Sequence, residues 1–260
     1  AVADQNILII GSGFAAAANL IHLVEAGIKP SQITIIGPGQ LGRGNAYGCD
    51  DDDFRLNVRA NLMWIWPDRR DDFGNWAKTH IKDDKDAMRR SGMFYRRRDF
   101  GRYVASRVDA VLASAGDQDH AITHYPQIVT KLGKIDQGGW QAECSDGRLI
   151  RADLVLLATG NPPPQWPCPI HGEMAQLPKL ENRLVQNPWN GQWLDHLPAQ
   201  SRLAIVGGGL TALDAVTALA RRDHQGSVFL LAPHGSLPPE QADWVKQAPP
   251  TWPDACLLYT

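Results

Sequence analysis

Apolar residues fall either into short unbroken runs or into helical repeats, and the order of the two is informative. Ile7-Leu8-Ile9-Ile10 is unbroken, the pattern of a strand covered on both faces. It runs directly into Gly11-Ser12-Gly13-Phe14-Ala15-Ala16 and then into an alanine-rich stretch with helical spacing that stops near Gly27. Residues 32–36 are rich in β-branched side chains and predict a second strand, ending at Gly37-Pro38. Residues 56–58 and 61–67 are apolar and aromatic without a clean period, so they either line a pocket or pack as core under a long loop. Helices are predicted over 71–80 and 99–115. The second opens with Asp99 as its cap and carries Phe100, Tyr103, Val104, Val108, Val111 and Leu112 at helical spacing. Residues 127–151 alternate short strands with Gly-containing turns and predict a β-meander. Residues 153–157 predict another buried strand. It ends in Ala158-Thr159-Gly160, and the prolines that follow stop any helix.

The opening pattern then returns. Leu203-Ala204-Ile205-Val206 leads into Gly207-Gly208-Gly209-Leu210-Thr211-Ala212, a helical repeat and a further strand over 227–231. The distance from first glycine to strand end differs by one residue between the copies (Gly11 to Gly37, Gly207 to Ala232). One Gly-x-Gly is a weak signal in a chain with 24 glycines. A repeat of strand, Gly-x-Gly-x-x-Ala and helix is a strong one. Its chemistry is that of a pyrophosphate site. The first glycine allows the tight turn, the second leaves no side chain between backbone and phosphate, and Ala16 lets the helix lie close to the sheet. The helix N-terminus faces the anion. The fold class expected is α/β and Rossmann-like, with two dinucleotide-binding βαβ units, the second truncated.

Composition narrows the partners. The chain has 260 residues, a net charge of −2 and no apolar run long enough to span a membrane. Neither nucleic acid nor an anionic membrane is an expected partner. The sequence goes directly into a strand, so no signal peptide is expected. Cys49, Cys144, Cys168 and Cys256 form no Cys-x-x-Cys, which suits a reducing cytoplasm. Of the nine tryptophans, most sit beside Pro, Gly or Asn and read as loop anchors packed on the body. Arg43, between Gly42 and Gly44, is placed to meet a phosphate. The four aspartates at 50–53 read as a solvated loop, and Arg89, Arg90, Arg96, Arg97 and Arg98 as a solvated basic face or an anion site. His120 and His124 precede a strand, so a shared metal is not expected.

These motifs together resemble the two-dinucleotide-binding-domain flavoproteins. Within them, the chain looks most like the bacterial FAD/NAD(P)-binding proteins related to flavin N-hydroxylating monooxygenases. The resemblance implies that Gly11, Ser12, Gly13, Phe14, Ala15 and Ala16 form the FAD turn, with Gly37 and Pro38 beside it. Gly42-Arg43-Gly44-Asn45-Ala46-Tyr47 is similar to that family's Gly-x-Gly-x-Ala-Tyr segment, bringing Arg43, Gly44 and Ala46 to the cofactor. Leu56-Asn57 with Trp66-Pro67-Asp68 resembles its flavin-proximal stretch, Gly101-Arg102-Tyr103 its Gly-x-Tyr helix start, and Asn187-Pro188-Trp189 its Asn-Pro-Trp. Leu132 falls where adenine is touched, and Thr159 and Gly160 where the FAD domain closes. Gly207, Gly209, Leu210 and Thr211 would hold NAD(P)H. The implied layout is an FAD-binding domain over 1–165, with a helical insertion at about 68–115 and a β-meander at about 120–150. A connector over 166–200 and a partial NAD(P)-binding domain over 201–260 follow.

Departures accompany the likeness. Gly37 stands where an acid usually binds ribose, no arginine follows the strand over 227–231, and the chain ends before the family's second sheet is completed. Two readings stay open: a fragment with a missing C-terminal segment or a protein partner that completes it, and a natural minimal version. No nucleophile triad, carboxylate pair or metal cluster is visible. Two functions stay open: a flavoenzyme, in which NAD(P)H reduces FAD for work on a small-molecule substrate or on oxygen, and a nucleotide-binding module without turnover.

Overall fold

β1 (Ile7–Ile10) sends alternate side chains into two different cores, which is why its apolar run is unbroken. Ile7 and Ile9 point to the helical side, and Leu8 and Ile10 to the opposite face. The computed structural model of the chain describes residues 5–114, 121–136, 138–166, 169 and 183–237. His120, Cys168 and Cys256 lie outside the described residues, as do most of 166–182 and the stretch after 237.

After β1 come α1 (Phe14–Glu25), β2 (Ile33–Ile36), the short α2 (Gly44–Tyr47) and α3 (Asp72–His80). The small hairpin β3 (Met88–Arg89) and β4 (Gly92–Met93) precedes α4 (Arg97–Ser114). Then follow β5 (Thr123–Tyr125), β6 (Val129–Lys134), β7 (Trp140–Cys144), β8 (Leu149–Ala152) and β9 (Leu154–Leu157). The repeat is β10 (Leu203–Val206), α5 (Leu210–Arg221) and β11 (Val228–Leu231).

The first sheet is parallel, in the order β5-β2-β1-β9. On one face lie α1, α3 and α4, with Leu20, Ile21, Phe73, Phe100 and Tyr103 fully buried. On the other lies the antiparallel sheet β6-β7-β8, whose Ala142, Cys144 and Ala152 pack on Leu8, Ile10 and Ile36. β10 and β11 pair in parallel as a separate sheet.

Four details differ from the sequence-based expectation. β5 was not foreseen, because Thr-His-Tyr carries no apolar run; its parallel pairing to β2 defines it. The second long helix starts at Arg97, so Asp99 is not its cap but a buried residue of its first turn. β9 is only partly covered, and Leu157 is 69% exposed. Trp76 lies within α3, buried, rather than anchoring a loop. The aromatic stretch over 61–67 divides its roles: Ile65 and Trp66 are core, while Asn61 lines a pocket of about 240 Å³. Among the described residues, no helix is long and apolar enough to cross a membrane.

Candidate functional site

Gly11 and Gly13 are glycines for different reasons. Gly11 has φ +122°, and its amide donates to the Ile36 carbonyl (2.7 Å). A Cβ there would lie 2.0 Å from the Ala158 carbonyl oxygen. The first turn and the Ala158-Thr159-Gly160 turn, far apart in sequence, are thus pressed together at the carboxyl edge of the sheet. Gly13 is the N-cap of α1, with φ −79° and ψ −165°, an extended conformation open to any residue. A Cβ on Gly13 would meet only the Gly44 Cα, at an ordinary 3.7 Å. Among the described residues, nothing requires glycine at 13. No side chain caps α1 and its first turn carries no acid, so its leading amides remain available to an anion.

Three more contacts frame this turn. Ser12 is buried, and its hydroxyl donates to the Pro38 carbonyl. Gly37 packs on the turn itself, where a Cβ would fall 2.5 Å from the Ser12 nitrogen. This close approach accounts for the missing acid: the backbone of the first turn occupies the space its side chain needs. Gly44, at φ +50°, rests on Gly13, and the Gly42 amide donates to the Ser12 carbonyl (2.8 Å). On the far side Gly101 in α4 makes room for the Tyr47 carbonyl, and Phe14, Tyr47 and Phe100 pack edge to face or tilted. The 41–47 loop is therefore held against the first turn by backbone contacts at small residues.

The remaining expected residues are distributed as follows. Phe14 and Ala16 pack inward, and Ala15 is exposed at the head of α1. Pro38 and Ala46 are exposed beside the turn. Arg43 is turned onto its own helix end: its guanidinium donates to the Tyr47 and Gly48 carbonyls and pairs with Asp50. Asn57 is exposed, and its Oδ1 accepts from Arg97 (2.9 Å). Leu132 lies on β6, half-buried against the core shared by β1 and the meander. Thr159 and Gly160 are exposed at the sheet's carboxyl edge, next to Gly11.

The second unit repeats the first closely. The Gly207 amide donates to the Leu231 carbonyl (2.8 Å), as Gly11 does to Ile36. Gly209 caps α5 at φ −82° and ψ −173°, again extended, and a Cβ there meets nothing within 4 Å. Leu210 is exposed and Thr211 half-buried in the first turn of α5, which has neither a side-chain cap nor an acid.

An arrangement that sequence reading missed joins the two units. The aspartates at 50–53 are not a free solvated loop, nor are Arg96, Arg97 and Arg98 a free basic face; they face each other. Arg98 pairs with Asp52 (2.6 Å), Arg221 with Asp53 (2.9 Å), and Arg222 with Asp51 and Asp53. Arg97 reaches Asp214 of α5 (2.8 Å), whose carboxyl is pushed up to about 6 by burial, against the pull of Arg97. Arg96 is only 7% exposed, beside Asp84 and Asp99, each 1% exposed. Cys49 and Phe54 pack with Ala218 and Leu219 of α5 beneath these pairs. The only signal in the sequence was the balance of acidic and basic clusters, since the partners lie tens of residues or more apart. His124 has its Nε2 3.0 Å from the Gly37 carbonyl, a structural contact at the end of β2.

Two strand–turn–helix units with open glycine caps at their helix N-termini define a dinucleotide-binding α/β fold. The chain belongs to the FAD-NAD(P)-binding family, whose model matches residues 8–162. No curated protein matches it. Among solved structures it is similar to OTEMO in complex with FAD and NADP (TM-score 0.57, 16% identity, 87% of this chain). It is also similar to the open form of cyclohexanone monooxygenase (TM-score 0.57, 18% identity, 86% of this chain). The chain spans 39% of the length of each. At such identities the likeness is one of fold.

Proposed function

We propose that the protein is an FAD-dependent oxidoreductase of monooxygenase-like type. In this reading FAD occupies the site at Gly11, Gly13 and Gly44, and NAD(P)H the site at Gly207, Gly209 and Leu210. The observation that carries it is the pair of glycines, Gly13 and Gly209, that the chain's own packing does not call for. Both sit in front of uncapped helix N-termini, where the absent side chain leaves room for a pyrophosphate. When bound, FAD would supply the redox chemistry, taking reducing equivalents from NAD(P)H for a small-molecule substrate or oxygen. The chain's own residues bind and orient. The amides of Phe14, Ala15 and Ala16 would hold the phosphates, the 41–47 segment would lie along them, and Asn57, held by Arg97, would offer its amide to the flavin. The free thiols Cys49 and Cys144 are buried, in keeping with a cytoplasmic setting.

The protein purified without added cofactor should be yellow and release FAD on denaturation. It should then consume NADH or NADPH in steady state. A colourless protein that takes up no FAD overturns the assignment. A yellow protein that consumes neither nicotinamide cofactor is instead a flavin-binding module.

Selectivity between the nicotinamide cofactors should be weak. Ala232 and Pro233 follow β11, offering neither a carboxylate for the ribose diol nor a guanidinium for a 2′-phosphate. Titration of the flavin-loaded protein should give dissociation constants for NADH and NADPH within about tenfold, roughly 1.4 kcal/mol. A hundredfold preference for either would show that a discriminating side chain reaches the site from elsewhere.

A further inference from the structure

The 54–57 segment and helix α5 belong to different nucleotide-binding units, yet one side chain holds both. Arg97 Nη2 donates to Asn57 Oδ1 (2.9 Å) and to Asp214 Oδ2 (2.8 Å). Its Nε donates to the Arg55 carbonyl (2.8 Å), and its backbone amide to the Phe54 carbonyl (2.9 Å). A guanidinium nitrogen Nη2 carries two hydrogens, so both of its bonds can form at once with none left over. The side chains of Arg97 and Asp214 are only 14% and 16% exposed, so water competes poorly for either. Asp214 sits one turn into α5, behind the open cap at Gly209.

We infer that Arg97 is a positioning residue linking the two nucleotide sites, and that Asp214 in the second unit fixes the orientation of Asn57 in the first. The inference rests on the reading in which Asn57 lies beside the flavin. The physical argument concerns directionality. Asp214 takes one Nη2 hydrogen and the Arg55 carbonyl the Nε hydrogen, leaving the second Nη2 hydrogen aimed at Asn57. Without an acceptor at 214, a half-buried arginine is left with an unpaired donor edge and turns toward any other acceptor or water. Asn57 then loses the bond that fixes which end of its amide faces the cofactor. Acidic side chains near this junction, Asp51 and Asp53, are already engaged by Arg222 and Arg221 and do not replace Asp214.

A double-mutant cycle on FAD affinity tests this, because a residue that acts through another loses its effect once that other is gone. FAD is titrated into the apo form of the full chain for the parent, Asp214→Ala, Asp214→Asn, Asn57→Ala and the Asp214→Ala/Asn57→Ala double variant. Asp214→Ala should weaken FAD by about threefold or more, although it alters the second unit. Asp214→Asn, which keeps an acceptor oxygen, should stay near the parent. In the Asn57→Ala background, Asp214→Ala should have almost no further effect. Equal effects of Asp214→Ala with and without Asn57, or no effect at all, overturn the inference. If the parent itself binds no FAD, the functional reading fails instead. The link is then decided by NMR of the apo chain: Asp214→Ala must shift the Asn57 side-chain amide resonances, and unshifted resonances refute it. The same spectra report whether each variant is folded.

Discussion

Gly13→Ala is expected to fold as the parent does and to lose FAD, whereas Gly11→Ala is expected to lose the fold. The two glycines are two residues apart in one motif, and only their surroundings separate them. At Gly13 the backbone is extended and the nearest atom to an added Cβ is the Gly44 Cα, at van der Waals distance. A methyl group there should change stability by no more than about 1 kcal/mol, the scale of a helix N-cap substitution. It would stand where a pyrophosphate approaches the helix, so FAD affinity should fall by about a hundredfold or more, roughly 2.8 kcal/mol. At Gly11 the backbone has φ +122°, and the methyl would lie 2.0 Å from the Ala158 oxygen. That contact cannot be relieved without moving β9, so strain and overpacking together should cost about 3 kcal/mol or more. Thermal unfolding of both apo variants and flavin absorbance after dialysis check this. A Gly13→Ala protein that stays as yellow as the parent would place the cofactor elsewhere.

Arg96→Met should destabilise the protein by about 1–3 kcal/mol, because it removes one of the cations that serve the buried carboxylates of Asp84 and Asp99. Arg96 Nε lies 3.9 Å from Asp84, and its Nη1 lies 3.1 Å from Asp83 and 3.9 Å from Asp99. Arg55 also holds Asp84, with two hydrogen bonds, and Arg102 holds Asp99 Oδ1 (3.1 Å), so the buried Asp99 Oδ2 is the atom most affected by the loss. Burial already holds the Asp99 carboxyl above the ordinary carboxylate range, and the neighbouring arginines, Arg96 first, pull the other way. The folded state therefore binds a proton at Asp99 more tightly than the unfolded state does. Acid favours the folded form at this group, and the benefit is lost as pH rises through the folded pKa. Removing Arg96 raises that pKa further. The defect should accordingly be full near pH 7.5 and smaller near pH 5. Urea unfolding of parent and variant at the two pH values measures it, and an equal loss at both would show that packing rather than charge is responsible.

The strand–turn–helix repeat was legible because each part of it is local. An unbroken apolar run, two glycines and a helical period lie within one stretch, and the same order recurs. The helices over 71–80 and from about 99 were legible for the same reason, with an error at the start of the second, where Asp99 looks like a cap but faces inward toward Arg96 and Arg102. β5 was not legible, since three residues with a histidine at their centre carry no period; backbone bonds to β2 make it a strand. The charge clusters were misread for a deeper reason. A run of aspartates looks solvated when its counterions are more than forty or a hundred and sixty residues away, as Arg98, Arg221 and Arg222 are.

Local pattern specified the class of fold and its two glycine turns, because backbone conformation and side-chain size act over a few residues. It also located the departure at Gly37, without the reason for it. Only the packing of remote segments shows that the first turn lies across Gly37, and that Gly11 answers to Ala158 while Gly13 has, among the described residues, only an ordinary contact with Gly44. It alone decided that Arg97 joins Asn57 to Asp214. These are matters of distance between segments remote in sequence. Excluded volume and charge act through space, and only the folded chain brings such segments within their few ångströms of reach.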